Sequence, residues 1–175
     1  MGAESTARQD GALSHCGPPK RYLNPTEMSD DPASPKDYPV LRAFGQEAHV
    51  LISSEQTAGA FCMMRFFASP GSDPPPHTHS NEDETFIVES GEVEINRGGD
   101  LIRGRPGDVI YLPKKIPHAP RHLGSERLRV LVVCVPGGFD HFFAACAEEW
   151  SKPEPNLQSI AEIAAGFGIQ FHPAA

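Results

Sequence analysis

From Val40 onward, short apolar runs recur at intervals of roughly ten residues, each closed by glycine, proline or a cluster of charge. A chain punctuated this often has little room for long helices, and it buries its apolar residues by pairing short strands into a sandwich or barrel. The strands expected are His49–Ser53, Phe61–Ala68, Glu84–Glu89, Glu92–Arg97, Asp108–Leu112 and Arg127–Val135. Turn chemistry separates them at Ser90-Gly91, Arg97-Gly98-Gly99-Asp100, Pro106-Gly107 and Leu123-Gly124-Ser125. Val93 and Ile95 alternate with Glu92 and Glu94, which predicts one buried and one solvated face. The run Leu131 to Val135 is apolar throughout and predicts burial on both faces.

The period changes after Pro136-Gly137-Gly138. Phe139, Phe142, Phe143, Cys146 and Trp150 fall at helical spacing and form one apolar stripe. A second helix is expected from Asn156 or Leu157 to Ala165, with Asn156 as its cap and Gly166 or Gly168 as its terminator. The two helices occupy about 137–166 and are expected to cover the outside of the sheets or one mouth between them, with the aromatic stripe as packing. Residues 1–38 are rich in Pro, Ser, Asp, Gly and Ala without periodicity, which predicts a flexible N-terminal arm ahead of one domain over 39–173.

The 175-residue chain carries a net charge of −8, which argues against nucleic acid and anionic membranes as partners. It has no apolar run of about 18 residues that would suggest a membrane-spanning helix. Met1 to Asp10 lack the charged start and apolar stretch of a secretory leader, so a cytoplasmic location is expected. Cys16, Cys62, Cys134 and Cys146 are scattered without a metal or disulfide spacing, and the last three read as small buried apolar residues.

Histidine is the unevenly distributed residue type: five of the eight lie between His77 and His141. His77 and His79 are two apart, so on an extended strand they share a face. Glu84 returns to that face if the chain turns through Ser80-Asn81, and His118 follows the bend Leu112-Pro113-Lys114-Lys115-Ile116-Pro117. Three imidazoles and a carboxylate suit Fe(II), Ni(II), Co(II), Mn(II) or Zn(II) rather than Ca(II) or Mg(II). On an octahedral ion such a set leaves two positions for water, substrate or dioxygen. Glu82 and Asp83 are expected to face solvent or brace the loop. His49 and His122 are candidates for a pocket, although a surface or structural place is the commoner fate of such residues. His141, beside Asp140, is expected to be exposed.

The spacing Gly71-x5-His77-x-His79-x4-Glu84-x6-Gly91 resembles the first cupin motif at every named position. Gly107, Pro113 and His118 resemble the second motif, 15 residues after Gly91, with Lys115 where that motif has Gly and His122 where it has Asn. Further stretches, Thr57–Phe61, Glu82–Phe86, Pro136–Phe139 and Ala165–Phe171, are similar to those of bacterial quercetin 2,3-dioxygenase-like monocupins. The resemblance covers about residues 40 to 173. It implies an all-β fold, a single double-stranded β-helix or jelly-roll barrel with C-terminal helices. It also implies one divalent transition metal held by His77, His79, Glu84 and His118, and pairing into a homodimer. The activity it implies is metal-dependent chemistry on a small organic substrate, as a quercetinase-like dioxygenase, with Glu84 either a ligand alone or also the base that takes a substrate proton. A non-redox cupin (isomerase, lyase or cyclase) and a binding module without turnover are the rival readings.

Parity along the strands bears on the interior. If Glu84 points inward, so do Phe86 and Val88, joined either by Phe61, Met63 and Arg65 or by Cys62, Met64 and Phe66. Tyr111 is a candidate to bring its hydroxyl to the pocket, and a wall of Phe, Met and Val favours a flat or apolar organic ligand.

Overall fold

A computed structural model describes residues 38–173. The expected arm therefore lies outside the described residues apart from Tyr38, as does Cys16. Eleven strands and two helices follow: β1 (Val40–Ala43), β2 (Gln46–Ile52), β3 (Cys62–Ala68), β4 (His77–His79), β5 (Asp83–Ser90), β6 (Glu92–Arg97), β7 (Asp100–Gly104), β8 (Val109–Leu112), β9 (His118–Leu123), β10 (Leu128–Val135), α1 (Phe139–Trp150), α2 (Leu157–Gly166) and β11 (Ile169–Phe171). They form two antiparallel sheets in the orders β1-β2-β3-β10-β5-β8 and β11-β4-β9-β6-β7, the two layers of a jelly-roll barrel.

Each strand turns alternate side chains into the space between the sheets. β3 sends Cys62, Met64, Phe66 and Ala68 inward, which decides between the two parities open in the sequence. β5 contributes Glu84, Phe86 and Val88, and β10 contributes Leu128, Val130, Val132 and Cys134. Register locks these rows together, with Cys134 opposite both Cys62 and Glu84, and Val132 opposite Met64 and Phe86. The three described cysteines are buried and free, as expected.

Three expectations need correction. The run Leu131 to Val135 is buried on one face only; Leu131 and Val133 are half-covered and Val135 is exposed, because none of the described residues forms a layer over the outside of the six-stranded sheet there. Glu94 is buried rather than solvated, since Arg103 and Arg121 from the flanking strands fold over its carboxylate. Tyr111 stands on the outer face of β8, half exposed, and does not line the cavity between the sheets.

Helix α1 buries Phe139, Phe142, Phe143 and Cys146. The Phe143 ring stands perpendicular to Phe66 of β3 at 5.1 Å, and Trp150 packs on Phe44 of the β1–β2 turn, also at 5.1 Å. The stripe thus closes one mouth between the sheets. At the start of α1, Ser54 donates both its backbone N–H and its hydroxyl to the buried Asp140 carboxylate. The expected cap of α2 is present: the Asn156 side chain accepts from the backbone N–H groups of Gln158 and Ser159.

Candidate metal centre

The centre is assembled from three strands, the neighbours β4 and β9 of one sheet and β5 of the other. β4 is short and carries His77 and His79 two residues apart, so both rings point inward. β9 pairs with β4 at one position, His77 opposite His118, which brings the third ring alongside. The turn at 80–82 returns the chain into β5, whose second residue, Glu84, faces the same interior. One ligand atom from each of the four lies within 4.8 Å of the others, and all four residues are buried.

The hydrogen bonds orient the rings. His77 directs Nδ1 at the Pro75 carbonyl at 2.8 Å, His118 directs Nδ1 at the Ile116 carbonyl at 3.3 Å, and His79 directs Nδ1 at the Glu82 carboxylate at 3.4 Å. When Nδ1–H donates, the neutral ring presents the Nε2 lone pair. His79 Nε2, His118 Nε2 and Glu84 Oε2 are buried without a hydrogen-bond partner among the described residues. Glu84 Oε2 lies 3.1 Å from His118 Nε2 and 3.8 Å from His79 Nε2, yet not in hydrogen-bond geometry. Donors about 2.1 Å from a common ion stand about 3 Å apart when at right angles. The orphaned atoms, their spacing and the mixed nitrogen and oxygen set fit a divalent transition ion.

Electrostatics prepares the same set. Burial pushes His77 down, with neighbouring His118 and His79 adding to it, to about 3, which keeps the ring neutral. Burial also opposes the Glu84 charge, but His79, His118 and His77 outweigh it and bring that carboxyl down to about 2. Burial disfavours a proton on His79, yet Glu84 and Glu82 outweigh it and raise its value. A bound ion would compete with the proton that Glu84 and Glu82 favour on His79.

Two residues of this surround did not stand out in the sequence. Glu82 is buried against His79, not solvated, because the 80–82 turn folds its side chain back over the strand it has just left. The signal available was its place three residues after the candidate ligand His79. Cys134 aims its thiol at Glu84 Oε1 from 3.9 Å, and burial pushes the thiol well up, so it stays a donor. The Cys134 contact depends on cross-strand register, which spacing does not carry. Asp83 braces the loop as expected, accepting the Lys114 N–H at 2.9 Å.

Beside the centre lies a cavity between the sheets, reached by His77 and Glu84 and walled by Phe66, Phe86, Val130, Val132 and the α1 residues Phe139, Phe142 and Phe143. The aromatic stripe is therefore both packing and cavity wall. His122 also lines this space, whereas His49 stays on β2 between Glu47 and Phe67, away from the centre. His141 is half exposed, 3.8 Å from Asp140.

A jelly-roll barrel with three histidines and a glutamate facing its interior is the architecture of the cupins, and comparison with known proteins agrees. The cupin domain family matches residues 64–134, from β3 to β10, so that stretch of the barrel is a cupin domain. Quercetin 2,3-dioxygenase of Bacillus subtilis (strain 168) is 27% identical over 107 residues, which are 61% of this chain and 32% of that protein. The chain thus matches about a third of that relative's length. Among solved structures, the polyketide cyclase RemF from Streptomyces resistomycificus superposes with TM-score 0.52 at 24% identity, covering 61% of this chain and 80% of that one. KdgF from a Halomonas species gives 0.53 at 19%, covering 61% and 93%. An RmlC-like cupin from Shewanella frigidimarina gives 0.54 at 15%, covering 65% and 96%. These three likenesses show the fold.

Proposed function

We propose that this chain is a metal-dependent cupin enzyme acting on a small organic molecule, of the quercetinase-like dioxygenase type. The observation that carries the reading is that two of the four candidate ligands, His77 and Glu84, form part of the wall of an apolar, phenylalanine-lined cavity. An ion held there would supply Lewis acidity toward a substrate hydroxyl or enolate. The chain supplies the rest. The phenylalanine wall excludes water and accepts a flat ring, which favours an anionic oxygen meeting the centre in a low-dielectric space. Glu84 is ionised at neutral pH and therefore in the charge state that accepts a substrate proton; its low value makes it a weak base, so position rather than basicity must supply its contribution. The relative named for quercetin supports a polyphenol as the substrate class.

The test is oxygen uptake and product formation by Fe(II)-, Co(II)- or Ni(II)-loaded protein on a panel of small phenols and flavonols. Loss of turnover in both His77→Ala and Glu84→Ala supports the reading, and unchanged turnover in both removes it. Turnover indifferent to oxygen assigns the site to an isomerase, lyase or cyclase instead. Ligand binding without product assigns it to a binding module.

A homodimer belongs to the same proposal. Val109, Tyr111 and Val135 stand exposed together on the outer face of the six-stranded sheet. A light-scattering mass near twice 19.0 kDa supports pairing, and a mass near 19.0 kDa excludes it. No helix among the described residues is long and apolar enough to cross a membrane.

A further inference from the structure

The polar groups on the cavity wall are few, and most are already engaged. His77 and Glu84 belong to the centre. Gln46 gives its amide N–H to the Ser72 carbonyl at 2.9 Å. Asp73 accepts the backbone N–H of His122 at 2.7 Å. The ring of His122 is different: both of its nitrogens are buried, and neither has a hydrogen-bond partner among the described residues. An imidazole in an apolar wall with both nitrogens unused is costly to bury, and a cavity that keeps one is built to meet something polar. His122 also stands where the second cupin motif has Asn, so it is this chain's own choice.

Its place along β9 sets the geometry. His118 and His122 are four residues apart on one strand, hence on the same face, and a rise of about 3.3 Å per residue separates their Cα atoms by about 13 Å. The cavity therefore has a metal-binding end, at His77 and Glu84, and a second polar point at His122, with Phe66, Phe86, Phe139, Phe142 and Phe143 among the walls.

We propose that His122 is a specificity-determining residue that hydrogen-bonds the far end of a flat polyphenolic ligand whose near end chelates the metal. The proposal rests on the reading of this cavity as the site of a small organic substrate. The two ends and the aromatic wall between them suit fused or linked aromatic rings with an oxygen donor at the metal end and a hydroxyl at the opposite edge. Imidazole meets that hydroxyl as donor or acceptor, because Nδ1 and Nε2 exchange roles with the tautomer. His122 acts on binding and leaves the bond-making atoms to the centre.

The test compares quercetin with 3-hydroxyflavone, which share the chelating hydroxy-ketone but differ in the peripheral hydroxyls. Both are titrated against Zn(II)-loaded protein, where the ion performs no redox step. The unaltered protein should bind quercetin about tenfold more tightly, the worth of one good buried hydrogen bond. His122→Phe should abolish that preference while keeping the affinity for 3-hydroxyflavone within about twofold. His122→Gln, which restores a donor and an acceptor, should recover most of the preference and keeps the test available should the Phe variant misfold. An unchanged preference in His122→Phe, or no binding of either flavonol by the unaltered protein, overturns the assignment. The parent reading fails separately: His122-dependent binding with no oxygen uptake by Fe(II)-, Co(II)- or Ni(II)-loaded protein leaves His122 in place and removes the dioxygenase.

Discussion

At Lys115 the backbone adopts φ of +66°, a left-handed angle that a side chain disfavours and glycine takes freely. The conformation is kept because the Lys115 N–H donates to the His79 carbonyl at 2.7 Å, tying the bend before His118 to the strand that carries two candidate ligands. The sequence marked this position as a departure from the motif's Gly; the structure retains the turn and places the strain on Lys115. Lys115→Gly should therefore raise stability by about 1 kcal/mol, the left-handed cost less the glycine entropy, without altering metal affinity. Urea midpoints for the two metal-free proteins check it, and a lower midpoint for the variant refutes it. Glu82 makes the complementary case, a residue whose role depends on burial that spacing does not reveal. Glu82→Leu removes the acceptor that fixes the His79 ring and should weaken metal binding about 10- to 100-fold, whereas Glu82→Gln keeps an acceptor and should lose less. Competition against a chelator of known affinity measures both, and an unchanged constant in the Leu variant would show that Glu82 does not orient His79.

Strands that bury an apolar row were legible in the sequence, and those that do not were missed. β3, β5, β6, β8 and β10 match the expected segments within a residue or two, and β2 begins three residues earlier than expected, because each sends alternate side chains into the interior. β1 and β7 lie at sheet edges and β11 is three residues long, so little apolar patterning identifies them. β9 was hidden by Pro120, which interrupts a strand wherever its missing N–H is needed. Here β9 pairs with β4 only at His118, so beyond that residue the side of β9 away from β6 makes no further demand. The helices were legible from the switch in period, and the structure adds what they close. Phe143 is the centre of that closure, buried against Phe66, Phe139 and Phe44. Phe143→Ala should cost about 3–5 kcal/mol and detach α1 from the mouth of the barrel. Denaturant unfolding gives the size of the loss, and a change below about 1 kcal/mol would mean that the stripe is not part of the core.

The whole barrel carries its four candidate ligands as a pH-dependent load. That the four gather was legible because a fixed spacing names them, but the balance of charge among them depends on burial and on one another. In the folded, metal-free protein His77 stays neutral down to about pH 3, whereas the unfolded chain protonates it near 6.5. Between those values the unfolded state binds the extra proton, so stability falls as the pH is lowered, by up to about 1.4 kcal/mol per pH unit. Glu84 adds to the fall below 4.5, where the unfolded carboxyl protonates and the folded one, held at about 2, does not. His79 has the opposite sign: its raised folded value adds stability that is complete below 6.5 and lost as the pH rises through that value. The metal-free protein should therefore be less stable at pH 5 than at pH 6.5, and His77→Gln should flatten that part of the profile. Adding the ion should reverse the trend above neutrality, because binding takes deprotonated ligands; at 100 times its dissociation constant it contributes about 2.7 kcal/mol. Thermal melts across pH with chelator, then with Zn(II), separate the two effects. A metal-free melting point that rises from pH 6.5 to 5 would show that His77 is protonated in the folded barrel, and would remove the neutral ring on which the metal site depends.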